Sequence, residues 1–204
     1  MNKSNEYNNN CSVLTTYFDD GKLCEEYFQN NEKKEGEYKQ YHKNGQLFKI
    51  CNYVNGKIEG EYKQYHANGQ LWVICNFVNN KMEGEYKEYR ENGKLYNIRI
   101  YVDGKIEGEY IKYYENGHIG QTGNYINGKL HGVVRVYYNG GQLYQISNYV
   151  DGEREGKDEI FFENGQLKQL SNYRYGNLHG IFESYHSNGE LYENTYLFTL
   201  KNDE

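Results

Sequence analysis

Proline is absent from all 204 residues, so every position keeps the backbone donor that a sheet ladder uses. Long apolar runs are absent as well. None approaches the roughly 20 residues that span a bilayer, and the opening MNKSNEYNNN lacks the apolar core of a secretory signal. We therefore expect a soluble, intracellular, cytoplasmic protein whose residues 1–11 form a frayed or disordered tail. Acidic residues outnumber basic ones, 29 to 23. The net charge of −6 argues against nucleic acid as a partner. No G-x-G-x-x-G or Walker sequence precedes a helical pattern, no C-x-x-C occurs, and the serines are few and scattered. Those absences argue against a phosphate loop, a zinc finger and a Ser-His-Asp set. Apolar residues make up only 37%, low for a conventional globule. What is abundant is tyrosine, with 25 residues. Its ring can line a thin core while its hydroxyl stays wet.

The stretch GEYKQYHKNGQL at 36–47 returns as GEYKQYHANGQL at 60–71, with Lys43 changed to Ala67. Glycines keep the same 24-residue period from Gly36 to Gly180 and from Gly45 to Gly189. A degenerate repeat at 12–35 precedes copies starting at 36, 60, 84, 108, 132, 156 and 180, so 12–204 reads as one repeat domain. Each copy carries two turn signals. Asn44-Gly45, Asn68-Gly69, Asn116-Gly117 and their equivalents form one line; Asn55-Gly56, Asp103-Gly104 and Asn127-Gly128 form the other. Such pairs predict two-residue type I′ turns, with positive φ at both residues. Asn80 and Tyr175-Gly176 depart from the pattern and leave turn type open there. Two strands and two turns per copy predict an all-β fold. It is an elongated, open antiparallel meander of β-hairpins, one per repeat, in a single twisted or curved layer. About fifteen strands at roughly 4.8 Å each would extend about 70 Å.

Three rows barely vary and read as the structural core, because a packed position registers any change of size. They are Tyr41, Tyr65, Tyr89, Tyr113, Tyr137, Phe161 and Tyr185; Leu47, Leu71, Leu95, Ile119, Leu143, Leu167 and Leu191; and Tyr53, Phe77, Tyr101, Tyr125, Tyr149 and Tyr173. Strict alternation fails once, since Phe48 and Ile50 take the opposite parity from Leu47 and Tyr53. Either a bulge lies in the second strand or both faces are partly apolar.

Two aromatic rows do vary. Phe48, Trp72, Tyr96 and Tyr144 give way to Gly120 and Lys168. Tyr38, Tyr62, Tyr86 and Tyr110 give way to Val134 and Asp158. A row that tolerates Lys, Gly or Asp is not obligatory core, and interfaces enrich exposed aromatics. These eight aromatics are the candidate partner-binding residues; the alternative is that they cover the second face of a thin sheet. Cys51 and Cys75 are one repeat, hence two strands, apart. That is roughly 9–10 Å, beyond the ~7 Å a disulfide spans, so we expect reduced thiols at a tolerant position. His42 with His66, and His131 with His179, lie on flat rows that do not converge on a metal. The last two replace Glu59, Glu83 and Glu107, which suggests a solvated position. The Glu37, Glu61, Glu85 row alternates with Lys39, Lys63 and Lys87, a solubility pattern. No catalytic, cofactor or metal site is expected.

The unit GEYKQYHANGQLWVICNFVNNKME, with its N-G-x-L core and following Y-x-x-G-K, resembles the MORN repeat, more closely its variant form. The resemblance covers roughly 12–197. It implies elongated hairpin sheets that act as scaffolds or interaction modules. Bacterial relatives of the variant form are labelled antitoxins, large DNA viruses of amoebae carry many such proteins, and some members touch phosphoinositide membranes. A viral source would place the protein in host cytoplasm. The leading expectation is a non-enzymatic scaffold that binds a protein partner, or itself, along an aromatic face. An antitoxin or immunity-like inhibitor of an enzyme is second. A lipid-surface adaptor is third, because glutamates offset the Lys57, Lys81, Lys105 row.

Overall fold

The computed structural model describes residues 11–197, and the tail expected over 1–11 lies outside them except for residue 11. The described residues are all strand and turn, with no helix among them. The chain divides into two compact units, Met1–Gly93 and Lys94–Glu204. The first contains β1 (Cys11–Tyr17), β2 (Leu23–Asn30), β3 (Lys33–Tyr41), β4 (Leu47–Val54), β5 (Lys57–Ile58), β6 (Gly60–Tyr65), β7 (Leu71–Val78) and β8 (Lys81–Tyr89). The second contains β9 (Leu95–Val102), β10 (Lys105–Ile106), β11 (Gly108–Tyr113), β12 (Ile119–Ile126), β13 (Lys129–Leu130), β14 (Gly132–Tyr137), β15 (Leu143–Val150), β16 (Glu153–Phe161), β17 (Leu167–Arg174), β18 (Asn177–Tyr185) and β19 (Leu191–Leu197). Each unit is an open antiparallel meander in which successive strands pair. The expected all-β hairpin repeat is therefore the fold. The strand number exceeds the expectation because three runs are broken just before a glycine. Gly60, Gly108 and Gly132 have φ of about 80°, as do Gly84 and Gly156 inside the unbroken β8 and β16.

The two lines of turns differ. At Asn55-Gly56 both residues are left-handed (φ 53° and 79°), the type I′ geometry expected from the sequence. Asn79-Asn80 and Tyr175-Gly176 adopt the same conformation despite their departures. The Asn44-Gly45 line does not. Only Gly45 is left-handed, and its N–H donates to the His42 carbonyl (2.8 Å). Asn44 instead accepts the Gln46 N–H on its side chain (3.0 Å). That Asx contact replaces the left-handed backbone that type I′ demands.

Hydrogen bonds between turns tie each repeat to the next. Gly56 N–H donates to the Lys34 carbonyl and Gly152 N–H to the Leu130 carbonyl, each at 2.9 Å. The Glu35, Glu59, Glu107 and Glu155 carboxylates accept the N–H of Asn55, Asn79, Asn127 and Tyr175. The glutamate row read as solvated is thus a turn clamp. On the other line, Asn44 Nδ2 donates to the Ala67 carbonyl and Asn116 Nδ2 to the Asn139 carbonyl, both at 2.7 Å.

The core is thin, and its deepest row is not one of the three expected. The Tyr41, Leu47 and Tyr53 rows are half-buried, apart from buried Tyr101 and exposed Ile119 and Leu191. Tyr38 and Tyr110, expected to face a partner, are 2% exposed, while Tyr62 and Tyr86 are half-buried. This corrects the reading of that row. Three of its tyrosines sit directly across from a small residue: Tyr38 from Cys51, Tyr62 from Cys75, Tyr110 from Gly123. The ring lies over the small partner. A Cβ on Gly123 would stand 2.7 Å from Tyr110 Cε1, so the ring holds that residue to glycine. Tyr38 is flanked by Tyr27 and Tyr53 (centroids 6.0 and 5.7 Å), and Lys34 Nζ lies 4.1 Å above its ring. Lysine over tyrosine closes the face without a second layer.

Candidate functional site

Within each unit the hairpin register slips by one residue at the same place. Gln40 pairs with Lys49, but Tyr41 pairs with Leu47, leaving Phe48 as the extra residue. The slip recurs at Trp72, Gly120, Tyr144, Lys168 and Tyr192. The failed alternation in the sequence is therefore a β-bulge in the second strand, and the variable aromatic row is the row of bulged residues. A bulged residue has no residue directly across from it, and its side chain is re-aimed.

What these side chains touch follows from the turn beside them. Phe48 packs edge-on against His42 (centroids 4.9 Å, 64°) and Tyr144 edge-on against Tyr138 (5.0 Å, 71°), while Trp72 lies tilted against His66 (5.5 Å, 30°). The supporting rings are themselves fixed. His42 and His66 Nε2 sit 2.9 Å from the carbonyls of Tyr65 and Tyr89, and Tyr138 Oη donates to the Phe161 carbonyl (2.8 Å). A carbonyl only accepts, so Nε2 of both histidines carries the proton. Trp72 Nε1 makes a long contact to Glu88 Oε1 (3.4 Å). Phe48, Trp72, Tyr96 and Tyr144 are all half-buried. Each unit thus presents bulged aromatics on a backing of rings tied to the next repeat.

The remaining candidates are structural. Cys24, Cys51 and Cys75 are free, and the last two are buried. Burial pushes the Cys75 thiol up to about 11 and raises Cys51 too, so neither is a ready thiolate. Glu37, Glu61 and Glu85 pair with Lys39, Lys63 and Lys87. Glu37 and Glu61 line an open groove of about 570 Å³ with Asn52, Asn76 and Tyr65. No group of three His, Cys, Asp or Glu converges among the described residues.

Two features escape sequence reasoning. One is an exposed aliphatic row beside the type I′ turns: Val54 and Val78 in the first unit, Val102, Ile126 and Val150 in the second. Each faces a lysine or Glu153 across the hairpin. The available signal was an aliphatic residue kept from Val54 to Val150, before Arg174 takes the place in the next copy. The other is a buried polar cluster. Asp158 is 2% exposed and accepts from Gln145 Nε2 (3.1 and 3.0 Å) and from Ser147 Oγ. Arg154 Nη1 lies 4.0 Å from it and donates to Tyr173 Oη (3.2 Å), while Arg154 Nε donates to Tyr149 Oη (3.3 Å). The Tyr149 bond, then Asp158, hold the guanidinium pKa above its usual value. The sequence signal was Arg154 standing in a row of Ile58, Met82, Ile106, Leu130 and Leu178.

No helix among the described residues is long and apolar enough to cross a membrane. A search of curated proteins gave no match. Comparison with known families matches the MORN repeat variant at residues 34–55, 58–79, 82–103, 106–127, 130–151, 154–175 and 178–197. With seven consecutive matches over most of its length, on a ladder of hairpins of that period, the chain belongs to the family of the MORN repeat variant.

Proposed function

We propose that this protein is a non-enzymatic repeat scaffold that binds a partner protein through its bulged aromatic row. Phe48 and Trp72 are the anchors in the first unit, and Tyr144 is one in the second. The observation that carries this reading is the repeated bulge. It frees an aromatic from cross-strand pairing at the same point of successive hairpins, on rings anchored to the neighbouring repeat. Half-buried aromatics on a rigid backing offer large contact area at low entropic cost. Paired carboxylates and buried, raised thiols favour binding over catalysis.

The test separates binding from folding. Phe48→Ser with Trp72→Ser keeps the β-sheet circular dichroism spectrum, because neither residue is fully buried. The same variant weakens capture of the wild-type partner at least about tenfold, the loss of ~1.4 kcal/mol that a truncated anchor exceeds. Tyr38→Ser is the contrast, and it destabilises the fold. If the double variant unfolds, the bulged row is core and the proposal fails; if it folds and still captures the partner, the interface lies elsewhere.

A further inference from the structure

The strands β1 and β19 each have one neighbour among the described strands, β2 and β18 respectively. We propose that β19 of one copy pairs with β1 of a second copy of this chain, head to tail. The 24-residue register would then continue across the junction. This contact does not use the anchors Phe48, Trp72 and Tyr144, although Tyr192, the last bulged residue, borders it.

Register carries the argument first. Residues 11–17 lie seven repeats before 179–185, so β1 is the counterpart of most of β18. Inside the second unit, β17 meets β18 with Gln169 opposite Ser184, Leu170 opposite Glu183 and Ser171 opposite Phe182. The same register sets Glu193 opposite Thr16, Asn194 opposite Thr15 and Thr195 opposite Leu14 of the second copy. The small-against-large rule of the deep row is kept. Thr195 faces Leu14 as Ser171 faces Phe182 and as Cys51 faces Tyr38.

Side-chain donors at the last turn carry it second. Asn44, Asn68, Asn116 and Asn164 each send Nδ2 to a carbonyl 23 residues on. Asn188 holds that position in the last repeat and turns back to Glu190 Oε2 instead (2.9 Å). His42 and His66 send Nε2 to a carbonyl 23 residues on. His186 stacks on Tyr192 but meets no such carbonyl among the described residues. On a second copy docked in register, the carbonyls at those two spacings belong to Asp19 and Tyr17.

Composition carries it third. Natural edge strands are guarded by charge, proline or a short length. The strand β1, CSVLTTY, has seven residues and neither charge nor proline. Tyr17 is 62% exposed, and on β19 Tyr192 is 69% exposed. A head-to-tail contact uses different surfaces on its two sides and does not close on a two-fold axis, so copies add in series.

A charge-swap series tests this pairing with exposed residues only. Sedimentation velocity over a concentration series is expected to show the wild-type chain associating. Thr15→Lys with Asn194→Lys places like charges directly opposite at the junction and weakens association about fivefold or more. Thr15→Lys with Asn194→Glu restores it. All three proteins keep the same circular dichroism spectrum. A wild-type chain that stays monomeric throughout overturns the proposal. So does association that ignores the Lys–Lys pair, which would place the contact on another surface.

Discussion

Tyr62 and its row show how a single side chain stabilises a one-layer sheet. The ring covers Cys75 directly across the hairpin and lies 5.2 Å from Phe77. Burial is the main cause that pushes its phenol up to about 12, and it raises Tyr38 and Tyr110 as well. The unfolded chain titrates tyrosine near 10. Between about 10 and 12 the native state therefore binds more protons than the unfolded state, and stability falls as pH rises. Cys75, raised to about 11 from near 9, starts the decline earlier. Thermal melts at pH 8, 10 and 11 are expected to show a falling midpoint, and Tyr62→Phe to flatten the fall. A midpoint independent of pH over that range would mean these rings are not held in a dry environment. Why did the sequence mislead at this row? Its variation was read as exposure. The structure shows that Asp158 is compensated locally by Gln145, Ser147 and Arg154. Substitution reports the sum of a position and its neighbours, and a row read alone omits the neighbours.

At the scale of the hairpin, each end has its own chemistry. The type I′ line needs two left-handed residues, and Asn, Asp and Gly supply them cheaply. Tyr175 is the exception. It holds φ 50° with its ring 68% exposed, stacked only under Arg174 (5.5 Å). A bulky residue in that region costs about 1–2 kcal/mol, most of which Asn avoids. Tyr175→Asn should therefore raise the urea midpoint, with a gain of about 1 kcal/mol. An unchanged or lower midpoint would show that the Arg174 contact outweighs the strain. The period, the strand count per repeat and this line of turns were legible in the sequence, because each depends on residues adjacent in the chain. The Asn44-Gly45 turns were not. There the choice lies between backbone and side chain at Asn44, and that choice follows from how the bulge one residue past Leu47 offsets the strands. The bulge itself was half legible. Phe48 broke the alternation, but parity alone did not distinguish an extra residue from a second apolar face.

At the scale of the repeat array, the side-chain ties between repeats among the described residues reach one period and no further. Side-chain bonds from one repeat to the next span 20 to 23 residues. Stability in such an array is close to a sum of units and nearest-neighbour terms. Removal of one complete unit should then cost one set of terms and leave the rest in register. Excision of residues 60–83 joins Glu59 to Gly84, the same Glu-Gly step that 59–60 makes. His42 then finds the carbonyl of Tyr89 in place of Tyr65, and Asn44 finds that of Glu91 in place of Ala67, because these are the acceptors His66 and Asn68 use now. Excision of residues 60–71 removes half as many residues but joins Glu59 to Trp72, so a second-type strand follows where a first-type strand is required. The full-period deletion is expected to keep the β-sheet spectrum and a cooperative melt with a modestly lower midpoint. The half-period deletion is expected to lose the cooperative melt, although it is the smaller change. Circular dichroism decides between them, since the full-period deletion also removes Trp72, the single tryptophan. If the two deletions behave alike, the period is not the unit of stability, and the neighbour-by-neighbour account of this fold fails.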